Sequence, residues 1–280
     1  MNDNRNEIKA ILNTAIEAAQ VAASILVKGF GSKLNITQKG LVDPVTNIDF
    51  KSEKAVRRVI AGRFPDHSIM AEEGDLKEGP AGYRWYVDPL DGTVNYIHRH
   101  PYFAVSIACA RIAPGQVSEI LAGVVLAPVL GEMFWASKGA GAYVVRVLAG
   151  GKGRQKLSVS QISTLMEAQA AVGYPYDFHQ RPQEILEPID QLSLKLSGIR
   201  HNGSAALDLA FVAAGRSEAY FEPGLKPWDV AAGIILVTEA GGTVTDRFGQ
   251  PYHLESGSDL LAANGILTPE LVSIIGQKPQ

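Results

Sequence analysis

Apolar residues recur at helical spacing near the start of the chain, at Ile8, Ile11, Leu12, Ala15, Ile16, Ala19, Ala22, Ala23 and Leu26, with Gly29 and Gly31 behind them. This predicts a long amphipathic first helix. A polar stretch, Lys33 to Asn47, precedes a second helical pattern that runs from about Asp49 through Val56, Val59 and Ile60 to Arg63, where Pro65 breaks it. The pattern then shortens to strands: Ser68 to Ala71, the apolar run Trp85 to Val87, and Phe103 to Ile112, Glu119 to Leu126, Glu132 to Trp135 and Tyr143 to Val147. The close spacing of the last four predicts an antiparallel meander.

Beyond residue 156 strands and helices alternate. Ala168 to Val172, Ile199 to His201, Glu218 to Phe221, Thr243 to Thr245 and Leu260 to Ala263 read as strands. Arg181 to Leu196, Ala205 to Ala214, an alanine-rich stretch from Lys226 to Glu239 and a short terminal segment read as helices. Such alternation means an α/β, or mixed α+β, fold. The glycine-rich basic segment Leu148 to Lys156, LAGGKGRQK, is the best candidate boundary. It divides an N-terminal α+β part, 1–150, from a C-terminal α/β part, 151–280, as two intimately packed subdomains. It lacks the spacing of a Walker loop.

Composition narrows the function classes. Charged residues are 20% of the 280 and the formal charge is −3, so the total carries no nucleic-acid footprint. The single Cys109 lies in an apolar run, which excludes an internal disulfide and suits a reducing cytoplasm. The first ten residues are polar, and no apolar segment is expected to approach the length that spans a bilayer. The chain is therefore expected to be cytoplasmic, away from the membrane.

Acidic residues stand at the ends of several predicted elements. Asp88 and Asp91 flank Pro89 where the strand Trp85 to Val87 stops, with Gly92 and Thr93 directly behind. Glu72 and Glu73 follow the strand at Ser68 to Ala71, and Asp229 stands in the first turn of the alanine-rich helix. Asp43, Thr46 and Asp49 surround the start of the second helix, where capping accounts for at least one of them. Carboxylates sharing a pocket must be relieved by cations or by raised pKa values, and hard oxygen donors favour magnesium or manganese. Two such ions about 4 Å apart suit in-line phosphoryl transfer.

Five motifs, in order, carry a resemblance over nearly the whole length: DPVTNID at Asp43 to Asp49, AEEG at Ala71 to Gly74, WYVDPLDGTVNY at Trp85 to Tyr96, GSAALDLA at Gly203 to Ala210, and PWDVAAG at Pro227 to Gly233, which TEAGG at Thr238 to Gly242 continues. The chain resembles the inositol monophosphatase family of the magnesium-dependent, lithium-sensitive phosphatases. GYPYD, Gly173 to Asp177, is similar to the bacterial members. The resemblance implies a layered αβαβα sugar-phosphatase fold and a hydrolase of phosphate monoesters.

Residue by residue, it implies that Glu72, Asp88 and the carbonyl of Leu90 hold a first metal, and that Asp88, Asp91 and Asp229 hold a second. Glu72 would also serve a weaker third ion and orient the attacking water, with Thr93 backed by Asp49. Gly92 and Thr93 would meet the phosphate. Asp91, Gly203, Ser204, Ala205, Glu222 and Asp229 would face the alcohol. The cofactor implied is Mg2+, two or three ions per site, with Mn2+ possible and Li+ and Ca2+ inhibitory. The expected substrate is inositol 1-phosphate or a related polyol or sugar phosphate. Fructose 1,6-bisphosphate, 3'-phosphoadenosine 5'-phosphate and histidinol phosphate are the rivals. The family implies a homodimer. A role in binding RNA or a protein, with a vestigial or secondary catalytic site, is the alternative of another class, and the basic loop Lys152 to Lys156 is its support.

Overall fold

The computed structural model describes residues 2–40, 43–113, 116–146, 153–175, 177–257 and 259–276. Helix α1, Asn2–Gly29, is followed by a short hairpin of β1, Ile36–Gln38, and β2, Pro44–Thr46, and then by α2, Asn47–Arg63. The first large sheet follows in chain order: β3, Ser68–Ala71; β4, Tyr83–Asp91; β5, Ala104–Ala113; β6, Gln116–Ala127; β7, Glu132–Ser137; β8, Gly141–Arg146; β9, Gln155–Lys156. The pair β3 and β4 is parallel and the rest are antiparallel, as the predicted meander requires. Helix α3, Thr93–Ile97, fills the turn after β4.

The remaining chain alternates strands β10, Gln169–Val172; β11, Gly198–Arg200; β12, Ala219–Glu222; β13, Thr243–Thr245; and β14, Leu260–Ala263 with helices α4, Pro182–Ser193; α5, Ala205–Ala213; α6, Pro227–Glu239; and α7, Thr268–Ile275. Its sheet has the order β11-β10-β12-β14-β13, with β10 parallel to both neighbours and β14 antiparallel to its own.

The central strands β4, β5 and β6 are buried on both faces along most of their length, so their sequences read as continuous apolar runs. In β4, Trp85 and Val87 join Ile11, Leu26 and Val56 of α1 and α2, while Tyr86 between them joins Leu209, Ala232 and Leu236 of α5 and α6. The far side of α5 and α6 meets Tyr220 and Ala262 of the second sheet, and Leu192, Leu271 and Ile275 of α4 and α7 cover that sheet's outer face. The layers are thus helix, sheet, helix, sheet, helix, as the resemblance implied. The small residues of α6 set the spacing: Ala232 lies so close to Gly123 of β6, and Gly233 to Leu209 of α5, that a Cβ on either glycine would collide.

Three expectations are corrected. Strand β4 does not stop at Asp88 but runs to Asp91, with a register shift between those two residues that accommodates Pro89 and its missing donor. The polar stretch before α2 contains the β1–β2 hairpin, whose first strand is wholly exposed and so shows no alternation. Helix α1, from Asn4 to Gly29, is long and apolar enough to cross a membrane by length and composition. Its apolar stripe, Ile11, Ala15, Ala18, Ala22 and Leu26, is spent on the sheet instead. Leu148 to Lys152 of the basic segment lie outside the described residues, and Gln155–Lys156 pair with β8.

Candidate active site

The parallel register between β3 and β4 sets Ala71 opposite Val87, and so carries the next residues, Glu72 and Asp88, to the same level at the strand ends. The Glu72 amide donates to the Val87 carbonyl at 3.2 Å, which locks that register. On the other side of β4, Asp88 pairs with Ser106 of β5, and the Ser106 hydroxyl reaches the carbonyl of Trp228 at 3.3 Å. That bond seats the start of α6 on the first sheet and brings Asp229 towards Asp88. Asp91 is tied across the layers: the Ser204 hydroxyl and the Ala206 amide, at the start of α5, both donate to its Oδ2.

These elements enclose a cavity of about 400 Å³. Of the residues expected to hold metal or substrate, Glu72, Asp88, Leu90, Asp91, Gly92, Thr93, Gly203, Ser204, Ala205, Glu222 and Asp229 all line it. Asp49 lies behind the wall. Its Oδ1 accepts from the Thr93 hydroxyl at 3.0 Å, while Oδ2 accepts from the Thr46 amide in a capping box at the start of α2. Capping and support of Thr93 are therefore both true of Asp49, one per oxygen. Asp43 meets the cluster only through Lys39, at 3.7 Å.

Burial raises the carboxyl groups in this cavity, and their mutual repulsion adds to it. Asp88 is driven well up by desolvation and then by Glu72, Asp91 and Asp229; Asp229 is driven well up by desolvation and then by Glu72. Asp91 rises to about 6 by burial, against the hydrogen bonds of Ser204 and Ala206, which favour its charge. Glu72 is raised by burial despite Lys39. The Lys39 ammonium stands 2.8 Å from both Glu72 and Glu73; burial opposes its charge, but the two carboxylates outweigh that and raise it. Glu222, buried beside the Tyr220 hydroxyl, rises to about 8.

Among the described residues no three Asp, Glu, His or Cys groups are gathered tightly enough to hold an ion as they stand. Each acid instead has a partner of its own: Lys39 on Glu72, the Leu90 amide on Asp88 at 2.9 Å, Ser204 and Ala206 on Asp91, and the Lys226 amide on Asp229 at 2.7 Å. The donor set itself fits a hard divalent cation, being all oxygen and densely anionic, with repulsion that only a cation or a proton relieves.

Gly92 begins α3 with φ 92°, and a Cβ there would stand 3.1 Å from the carbonyls of both Gly203 and Tyr102. Only glycine meets both conditions. Several lining residues carried no assigned role in the sequence: Asn95, Asp208 and the ring cluster Tyr174, Phe178 and His201. Asn95 and Asp208 lie within quoted motifs, and the signal for Asp208 was a lone acid in an otherwise apolar helix.

The Inositol monophosphatase family profile matches residues 7–280. The chain is 37% identical over 260 residues to an inositol-1-monophosphatase of Caulobacter vibrioides, covering 92% of this chain and 97% of that one. It is 39% identical over 257 residues to the Nus factor SuhB of Pseudomonas aeruginosa, covering 89% and 90%. Among solved structures it resembles the extragenic suppressor protein suhB of Bartonella henselae, with TM-score 0.86 and 34% identity over 96% of this chain and all of that one. It also resembles the inositol monophosphatase of Anabaena (Nostoc), with TM-score 0.83 and 36% identity over 98% of each chain. With fold, motifs and near-complete coverage in agreement, the chain belongs to the inositol monophosphatase family.

Proposed function

We propose that the protein is a magnesium-dependent phosphate monoester hydrolase acting on inositol 1-phosphate or a related small polyol phosphate. The observation that carries this reading is the convergence of Glu72, Asp88, Asp91 and Asp229 on one cavity in a chain of this family. Glu72, Asp88 and the Leu90 carbonyl would hold one Mg2+; Asp88, Asp91 and Asp229 a second; and Glu72 a third, weaker one. Mn2+ could substitute, and Li+ and Ca2+ would inhibit. The bound ions would supply an activated water and charge stabilisation for a direct displacement at phosphorus.

The protein's own groups do the rest. The Thr93 hydroxyl proton is directed to Asp49 Oδ1 and the Leu90 carbonyl, each at 3.0 Å, so its lone pairs are left to accept from the attacking water. Glu72 orients that water from the end of the neighbouring parallel strand β3. The backbone at Gly92 and Thr93, where α3 begins, receives the phosphate. Glu222, Asp91, Asp229 and the Gly203–Ala205 segment accept and donate hydrogen bonds to the hydroxyls of the alcohol. The enzyme is cytoplasmic and a homodimer on this reading. The Nus factor name borne by relatives supports a second role, binding a protein or RNA partner alongside catalysis.

Phosphate release from inositol 1-phosphate, fructose 1,6-bisphosphate, 3'-phosphoadenosine 5'-phosphate and histidinol phosphate, with and without Mg2+, tests the proposal. It expects metal-dependent turnover with inositol 1-phosphate foremost. Unchanged activity in Asp91→Asn, or no release from any ester, overturns it.

A further inference from the structure

Asp208 is a carboxylic acid inside α5, a helix apolar on every other position, and it is 2% exposed. Burying an acid there is costly unless its oxygens are engaged. It has no assigned place among the metal or substrate residues, and its side-chain partners are neutral: the Tyr102 hydroxyl and the Asn202 side-chain amide, each donating to Oδ1 at 2.7 Å.

The Asn202 carbonyl in turn accepts from Asn95 Nδ2 at 2.7 Å, and that same amide reaches the Tyr102 carbonyl at 2.7 Å and the Gly203 carbonyl at 3.2 Å. The contacts close a ring, Asp208 to Asn202 to Asn95 to Tyr102 and back. It joins α3 and the approach to β5 to the turn at Asn202–Ser204 and α5, two segments that are distant in sequence. There is no slack where they meet: Gly203 has φ 78°, and a Cβ on it would stand 3.1 Å from Asn95 Nδ2. The turn held this way continues directly into Ser204 and Ala206, the donors to Asp91.

We propose that Asp208 is a positioning residue for the alcohol side of the substrate: through Asn202 it fixes the Gly203–Ala205 segment against the start of α3 at Gly92–Asn95. The inference rests on the reading of the cavity as a phosphate monoesterase. A carboxyl serves here because its Oδ1 accepts both donors at once, a pattern that an amide oxygen can reproduce and an alanine cannot.

The test compares inositol 1-phosphate, whose alcohol needs hydroxyl contacts, with 4-nitrophenyl phosphate, whose leaving group offers none. In Asp208→Ala, kcat/KM for inositol 1-phosphate is expected to fall about tenfold or more, mainly through KM, while the nitrophenyl ester changes less than about threefold. Asp208→Asn, which keeps an acceptor for both donors, should recover most of the loss. Asn202→Ala should reproduce it, and the double variant should be no worse than either single one, because the two act as a unit. An equal fall on both esters with lowered Tm and no rescue by Asp208→Asn would reduce Asp208 to a stability residue and overturn the proposal. Unchanged kinetics in Asp208→Ala would overturn it as well. Failure of the wild-type protein to hydrolyse either ester would instead remove the phosphatase reading itself, and the inference with it.

Discussion

The two ends of the cavity hold carboxylates of opposite character. At the strand ends, Glu72, Asp88 and Asp229 face one another, and the side-chain donor among them is the ammonium of Lys39. At the far end, Asp208 and Glu222 are engaged by neutral donors of the protein, Tyr102 and Asn202 on one and Tyr220 on the other. Burial leads the rise in all five; repulsion from neighbouring acids follows it directly in Asp88 and Asp229, whereas in Asp208 and Glu222 the protein's own hydrogen bonds come before any neighbouring acid. The difference separates two tasks. On the proposed reading, acids that repel one another and take neutral donors mainly from the backbone meet a cation, with Asp91, held by Ser204, at the border, whereas acids engaged by neutral side chains hold shape or meet hydroxyl groups.

The largest effect should come from the cation end. Asp88→Asn is expected to lower kcat/KM by about a thousandfold or more if, as proposed, both ions share this carboxylate, while the metal-free protein keeps or gains thermal stability as repulsion is relieved. Steady-state kinetics beside a melting curve separates the two; a fall no larger than that of Asp208→Ala would erase the distinction between the ends. Thr93→Ala should cost about ten- to a hundredfold in kcat with KM little changed, since on the proposed reading it orients the attacking water but holds no part of the alcohol. Gly92→Ala should destabilise by about 1–3 kcal/mol, read by urea unfolding, because an L-residue is strained at φ 92° and crowded by two carbonyls.

At the alcohol end the readout is pH. Glu222 is raised from 4.5 to about 8 in the fold, so between those values the unfolded chain is ionised while the folded one keeps the proton. Folding stability of the metal-free protein should therefore fall as pH rises through that window. Glu222→Gln should flatten the contribution, giving a higher Tm than wild type at pH 8 and little difference at pH 4.5. A Tm difference independent of pH would show that Glu222 does not titrate with this shift.

Much of this was legible in the sequence because burial leaves a pattern. Helix α1 wrote a 3.6-residue stripe, the doubly covered strands β4 to β6 wrote apolar runs, and the alternation after residue 156 gave the second sheet. The acids at element ends were visible as well, and the structure brings Glu72, Asp88, Asp91 and Asp229 to one cavity. What the sequence hid has physical reasons. The β1–β2 hairpin is exposed along its first strand, so no periodicity marks it; it delivers Lys39 to Glu72 and Glu73 by a register that no local pattern encodes. The extension of β4 through Pro89 depends on a bulge, which sequence reading takes for a strand end. The ring through Asp208, Asn202, Asn95 and Tyr102 is made of contacts from 6 to 107 residues apart, and only the tertiary layering closes it.

The most direct measurement is calorimetric titration of the metal-free protein with Mg2+ at pH 7, in two buffers of different ionisation enthalpy. Acids raised by burial and repulsion carry protons that a cation must displace, so the account predicts saturable binding with net proton release, both lost or sharply reduced in Asp88→Asn and retained in Asp208→Asn. Absence of saturable binding, or binding without proton release that survives in Asp88→Asn, would contradict the assignment of Glu72, Asp88, Asp91 and Asp229 as the cation end of the cavity.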